Sequence, residues 1–117
     1  MIQLVVCHPG KLDLTKDVSI LLKNGVKMVT INNAQFFLDT CEKRLLRTRR
    51  TFENVGIQIH SVHAPGGSLI TLDSKIREET IKIYKELIHR LSLVGVEIMV
   101  FHIGSTEDKK HQSSVFL

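Results

Sequence analysis

Three stretches of the chain repeat one pattern: helical periodicity, a glycine, then a mostly apolar run rich in β-branched residues. They read "GVKMVTIN" from Gly25, "GIQIHSVH" from Gly56 and "GVEIMVFH" from Gly95. A glycine in that place suits the left-handed residue that ends a helix. The opening segment "IQLVVCH" (2–8) is a further apolar run of strand length. The pattern predicts strands near 2–8, 26–32, 57–63 and 96–102.

Between them lie helical segments. One runs from about Lys16 to Lys23, ending at Asn24-Gly25. In a second, Leu38, Cys41, Leu45, Phe52 and Val55 fall on one side, with Lys43, Arg44, Arg47 and Arg50 around the rest. The third follows "LDS", where Asp73 or Ser74 can cap it. There Ile76, Thr80, Ile83, Leu87, Leu91 and Val94 recur at helical steps, opposite Arg77, Glu78, Lys82, Lys85 and Glu86. The order is β-α-β-α-β-α-β. Near-continuous apolar strands separated by helices imply a parallel sheet, in strand order 1-2-3-4, with helices packed outside it.

Composition narrows the class without changing this picture. With 117 residues, 43% hydrophobic and 24% charged, the chain has the make-up of one globular domain (1–117). Its apolar runs are too short to span a bilayer, and "MIQLVVCHPG" lacks the features of a signal peptide, so a cytoplasmic protein is expected. Cys7 and Cys41 have no CxxC spacing; neither a disulfide framework nor a zinc knuckle is indicated, and both are expected as small core side chains. The net charge of +4 is concentrated in "EKRLLRTRR" (42–50). A basic helix face can grip phosphates, but more often it is a solvated exterior. No aromatic residues interleave with it, so stacking on bases is not supported.

The candidate chemistry lies at the strand ends. Seven residues beyond each of the three glycines stand Asn32, His63 and His102. Alternate strand residues share a face. Asn32 therefore joins Val26, Met28 and Thr30, His63 joins Ile57, Ile59 and Ser61, and His102 joins Val96, Ile98 and Val100. His8 similarly continues the face of Ile2, Leu4 and Val6, and is expected beside them. The carboxyl ends of parallel strands are where such folds place their sites. One histidine there is commonly a hydrogen-bonded core residue; two at equivalent strand ends point to a site. The loop "PGGS" after His63 can be read as a backbone phosphate cradle or as a plain strand-to-helix turn.

"GIQIHSVHAP", a capped amphipathic helix, and then "LVGVEIMVFHIGS" resemble the xylose isomerase-like barrel superfamily, over about residues 20–105. That superfamily includes sugar phosphate isomerases and epimerases, and metal-dependent apurinic/apyrimidinic-site endonucleases. The resemblance implies a parallel (βα)4 half of a TIM-type barrel, the N-terminal half, since a complete barrel takes about 250 residues. It implies His63 and His102 as metal ligands, for zinc or manganese. In the isomerases the equivalent of His102 instead lines the substrate pocket, with Asn32 and His8 close by. The function it implies is metal-dependent isomerisation or epimerisation of a sugar or sugar phosphate once the barrel is complete. By itself the chain is expected to be inactive, and its open barrel edges are expected to make it form a homodimer, aggregate or be only marginally stable. Departures exist: Asn32 stands where many members have an acidic residue, Gln58 and His60 are expected on the helix-facing side, and no carboxylates cluster at the strand ends. The alternatives are an endonuclease-like DNA repair protein, which the loop "APGGSLITLDS" disfavours because it has no aromatic or basic residue, and a non-catalytic α/β interaction module.

Overall fold

The computed structural model describes residues 5–10 and 14–104. Residues 2–4 of the expected first strand, and the tail from 105, lie outside the described residues. The elements run β1 (Val6–His8), α1 (Leu14–Lys23), β2 (Met28–Ile31), α2 (Gln35–Asp39), α3 (Glu42–Val55), β3 (Gln58–His63), α4 (Ser74–Val94) and β4 (Met99–Val100). The four strands form one sheet in the order β1-β2-β3-β4, and every neighbouring pair is parallel. This is the half-barrel topology expected from the sequence.

The helices end and begin as their residues dictate. Gly56 and Gly95 sit at φ 73° and 83°, the left-handed conformation that costs an L-residue its Cβ clearance. Each helix then turns directly into the next strand, with Ile57 N–H bonding back to Phe52 O and Val96 N–H to Leu91 O. At the other end of α4, the Asp73 carboxylate accepts from the Lys75 and Ile76 amides, so Asp73 is the cap.

Two details of the helical layer differ from expectation. The segment around Cys41 is two helices, because Cys41 is extended at φ −65°, ψ 154° and serves as the N-cap of α3. The carbonyls left open by the end of α2 are taken by Arg90 of α4, whose guanidinium donates to Phe37 O (3.1 Å) and to Thr40 O. In α4, Tyr84 rather than Ile83 faces the core: Thr80, Tyr84, Leu87, Leu91 and Val94 are buried, whereas Ile76 and Ile83 are exposed. Among the described residues no helix is long and apolar enough to cross a membrane.

The core lies on one side of the sheet. Val29, Ile31, Ile59 and Val62 from the strands, with Ile57 just before β3, meet Leu14, Val18, Phe37, Leu45, Phe52, Leu87 and Leu91 from the helices. Each such side chain contributes about 1.5–3 kcal/mol on burial. The opposite sheet face, the inner one of a barrel, has no covering layer among the described residues. Both cysteines are exposed, contrary to the core placement expected for them: Cys7 is on that inner face and Cys41 is at the α2–α3 break.

Candidate substrate-binding rim

Strand pairing settles which side chains share the inner face, because residues laterally paired across a sheet point to the same side. Thr30 pairs with Cys7 on one flank and with Ser61 on the other, and His63 pairs with Val100. Cys7, Thr30, Ser61, His63 and Val100 therefore line the inner face. Extending the registers by one or two residues puts Asn32 beside His63 and His102 beyond Val100, all at the carboxyl ends of their strands. Asn32 and His102 are exposed and His63 is half-buried. These three polar side chains form the rim.

His63 reaches this face through an irregularity. Val29 pairs with Ile59, but Thr30 pairs with Ser61, so His60 is an extra residue in β3. Ahead of it, Ile57 and Ile59 are buried toward the helices, and Gln58 pairs with Met28 on the inner side. After it, Ser61 and His63 face inward. Unbroken alternation would have kept His63 with Ile57 and Ile59, the grouping expected from the sequence. The bulge corrects that grouping and also moves Gln58 from the helix-facing side to the inner one. His60 is exposed, and its Nδ1 lies 3.2 Å from Ser61 Oγ.

His8 does not join the rim. It pairs with Ile31, which points to the helices, and is only 7% exposed. Its Nδ1 accepts the Gly10 amide at 2.9 Å, which leaves the proton on Nε2, 2.7 Å from Asp17 Oδ2 on α1. That imidazole joins the β1 end to α1, while its backbone carbonyl accepts the Asn32 amide at 2.9 Å. The substrate-facing placement expected for His8 is thus corrected: its main chain abuts Asn32, but its ring points to the other side of the sheet.

The loop after β3 is held down over the end of β4. Ala64 N–H bonds to Val100 O and Leu69 N–H to Ile103 O. The Ser68 amide donates to Thr80 Oγ1 at 3.1 Å and the Thr71 amide to Ser68 Oγ at 3.1 Å. A Cβ on Gly67 would lie 2.7 Å from Thr80 Cγ2, so this glycine allows the loop to close against α4. Of the two readings of "PGGS", the structure favours the strand-to-helix turn, since the Ser68, Leu69 and Thr71 amides are engaged within the protein.

Tyr84 organises the rim from beneath and was missed in the sequence. Its hydroxyl donates to Pro65 O at 3.1 Å, two residues past His63, and its ring meets Phe101, next to His102, at 5.5 Å between centroids. Burial pushes its pKa up. The available signal was its helical spacing, four residues after Thr80 and three before Leu87.

A rim of polar side chains at the carboxyl ends of sequential parallel strands, with helices outside, can be compared with solved proteins. The chain is similar to a D-psicose 3-epimerase crystallised in the presence of D-fructose, with a TM-score of 0.78 and 11% identity over 97% of this chain and 44% of that one. It is similar to D-psicose 3-epimerase from Clostridium cellulolyticum H10, crystallised with D-tagatose, with a TM-score of 0.79 and 17% identity over 97% and 44%. The shared fold is a partial parallel α/β barrel, four strands in sequential order with helices outside. The chain spans less than half the length of either enzyme. No protein-family model matches it, and no curated protein is significantly similar to it.

The donor set tests the expected metal. Among the described residues no group of three or more His, Cys, Asp or Glu side chains could hold an ion. His63 and His102 amount to two imidazoles without a carboxylate, fewer than the three protein ligands of a catalytic zinc site. The residues present do not by themselves fit a divalent metal.

Proposed function

We propose that this chain is half of a sugar or sugar phosphate isomerase or epimerase of the cytoplasm, and that the Asn32–His63–His102 rim binds the sugar. The observation that carries the reading is the placement of these three side chains at neighbouring carboxyl strand ends on the inner face of a partial barrel. Asn32 offers both amide donors and an acceptor to vicinal hydroxyls, and each neutral imidazole offers one of each. Moving a proton next to a sugar carbonyl needs a general base within hydrogen-bond reach. The described rim supplies no carboxylate for that task, so among the described rim residues His63 or His102 would be the base. The expected divalent ion, zinc or manganese, would need ligands beyond these two imidazoles, and no step is assigned to it. The endonuclease alternative draws support from the basic residues of α3, but these lie in the outer helical layer, away from the strand ends.

The test is histidine-resolved NMR of the 117-residue chain during titration with ketohexoses and their phosphates, on the wild type, His63→Ala and His102→Ala. The expected result is sugar-dependent shifts of the His63 and His102 ring signals, weakened at least tenfold in affinity by either substitution. Shifts confined to other residues would overturn the reading. Calorimetric titration with zinc and manganese is expected to show weak binding that both substitutions reduce.

A further inference from the structure

We infer that the uncovered inner face and the two open edges of this sheet are a self-association surface, on which a second copy closes an eight-stranded parallel barrel. Among the described residues β1 and β4 are the edge strands, each with one side unpaired. A strand edge of that kind is a template for another strand. A TIM-type barrel has eight parallel strands, and one copy supplies four in sequential order. A twofold axis along the barrel axis keeps all strands parallel. It sets β4 of each copy against β1 of the other, so both open edges are closed at once and nothing is left to propagate.

The side chains suit that partner. Val5 is 42% exposed and Ile98 45%, both apolar and each two residues before an inner-face position of an edge strand. The inner positions Cys7, Met28, Thr30, Gln58, Ser61 and Val100 include no carboxylate, ammonium or guanidinium. At these described positions a copy facing itself meets no like charge, while Met28, Val100 and Ile98 gain cover. The closed rim would carry two sets of Asn32, His63 and His102 on one ring, doubling the imidazoles from two to four. That last consequence rests on the proposed function; the assembly itself does not.

Sedimentation equilibrium of the 117-residue chain across about 1–100 µM, a range matched to micromolar affinity, is the experiment. Val5→Lys and Ile98→Lys place an ammonium in the seam, and Ile88→Glu on the outer face of α4 is the control. The expected result is a dimer whose dissociation constant rises at least tenfold with either lysine and is unchanged by Ile88→Glu, circular dichroism showing that the variants fold. Hydrogen exchange of the wild type should show residues 5–8 and 98–102 gaining protection as concentration rises. A monomer throughout, open-ended oligomers, or a dimer that responds only to Ile88→Glu would overturn the inference. A dimer whose histidines ignore sugars would uphold the assembly and remove the proposed function, so the two fail separately.

Discussion

Tyr84 shows how one side chain ties the helix layer to both halves of the rim. It is the chain's only tyrosine, and there is no tryptophan. Its phenol is buried, donates to Pro65 O and packs on Phe101. Burial disfavours the phenolate, so the folded pKa lies above the unfolded value of about 10. The folded state then holds this proton longer than the unfolded chain. Its contribution is fully present below pH 10 and is lost as pH rises through the folded value. Phenolate absorbance should therefore titrate at a higher pH in the native protein than in urea; coincident midpoints would remove the burial argument. Tyr84→Phe should cost about 0.5–1.5 kcal/mol in urea unfolding, the net worth of a buried hydrogen bond, and should remove the alkaline loss. His8 makes a similar point on the other side of the sheet: its proton is placed by Gly10 and Asp17, which explains a strand-end histidine without giving it a ligand.

At the scale of elements, the ends of the helices carry the clearest energetic signatures. Asp73→Ala should destabilise by about 1 kcal/mol, because two amides of the first turn of α4 lose their acceptor. Gly95→Ala should cost more than Gly25→Ala. Both glycines have positive φ, at 83° and 71°, which costs an alanine about 1–2 kcal/mol. Only at Gly95 would the new Cβ also meet the Arg49 guanidinium, at 3.3 Å, with nothing within 4 Å at Gly25. Equal losses in paired urea melts would show that Arg49 swings aside freely. These glycines also explain how much of the fold was readable in advance. Each marks a helix end by local chemistry, so the alternation, the parallel order and the strand-end positions of Asn32, His63 and His102 followed from the residues alone. Two features did not, because distant groups decide them. The α2–α3 break carries no glycine or proline and is held by Arg90, 50 residues beyond Thr40. The bulge at His60 depends on how β3 registers with β2. A simple count by twos therefore reached His63 with the correct inner-face neighbour in Ser61 and the wrong ones in Ile57 and Ile59. For β1, the same count set His8 beside Asn32, although its ring belongs with Ile31.

For the molecule as a whole, the decisive asymmetry is that its two sheet faces are not energetically alike. Leu87 is fully buried where α4 meets the strands, whereas Ile98 is 45% exposed on the inner face at the β4 edge. Leu87→Ala should cost about 2–5 kcal/mol, the range for a large core side chain that leaves a cavity. Ile98→Ala removes apolar surface that is already half in water, so in a dilute sample it should cost well under about 1 kcal/mol. Urea melts of both variants at the lowest workable concentration check this. If Ile98→Ala proved as costly as Leu87→Ala in dilute solution, the inner face would already be packed within one chain. The one-sided core described above would then be wrong, and with it the reason this sheet calls for a second layer of strands. If Ile98→Ala is silent when dilute and costly when concentrated, stability belongs to the assembled barrel, as mass action requires of any partner that binds only the folded state.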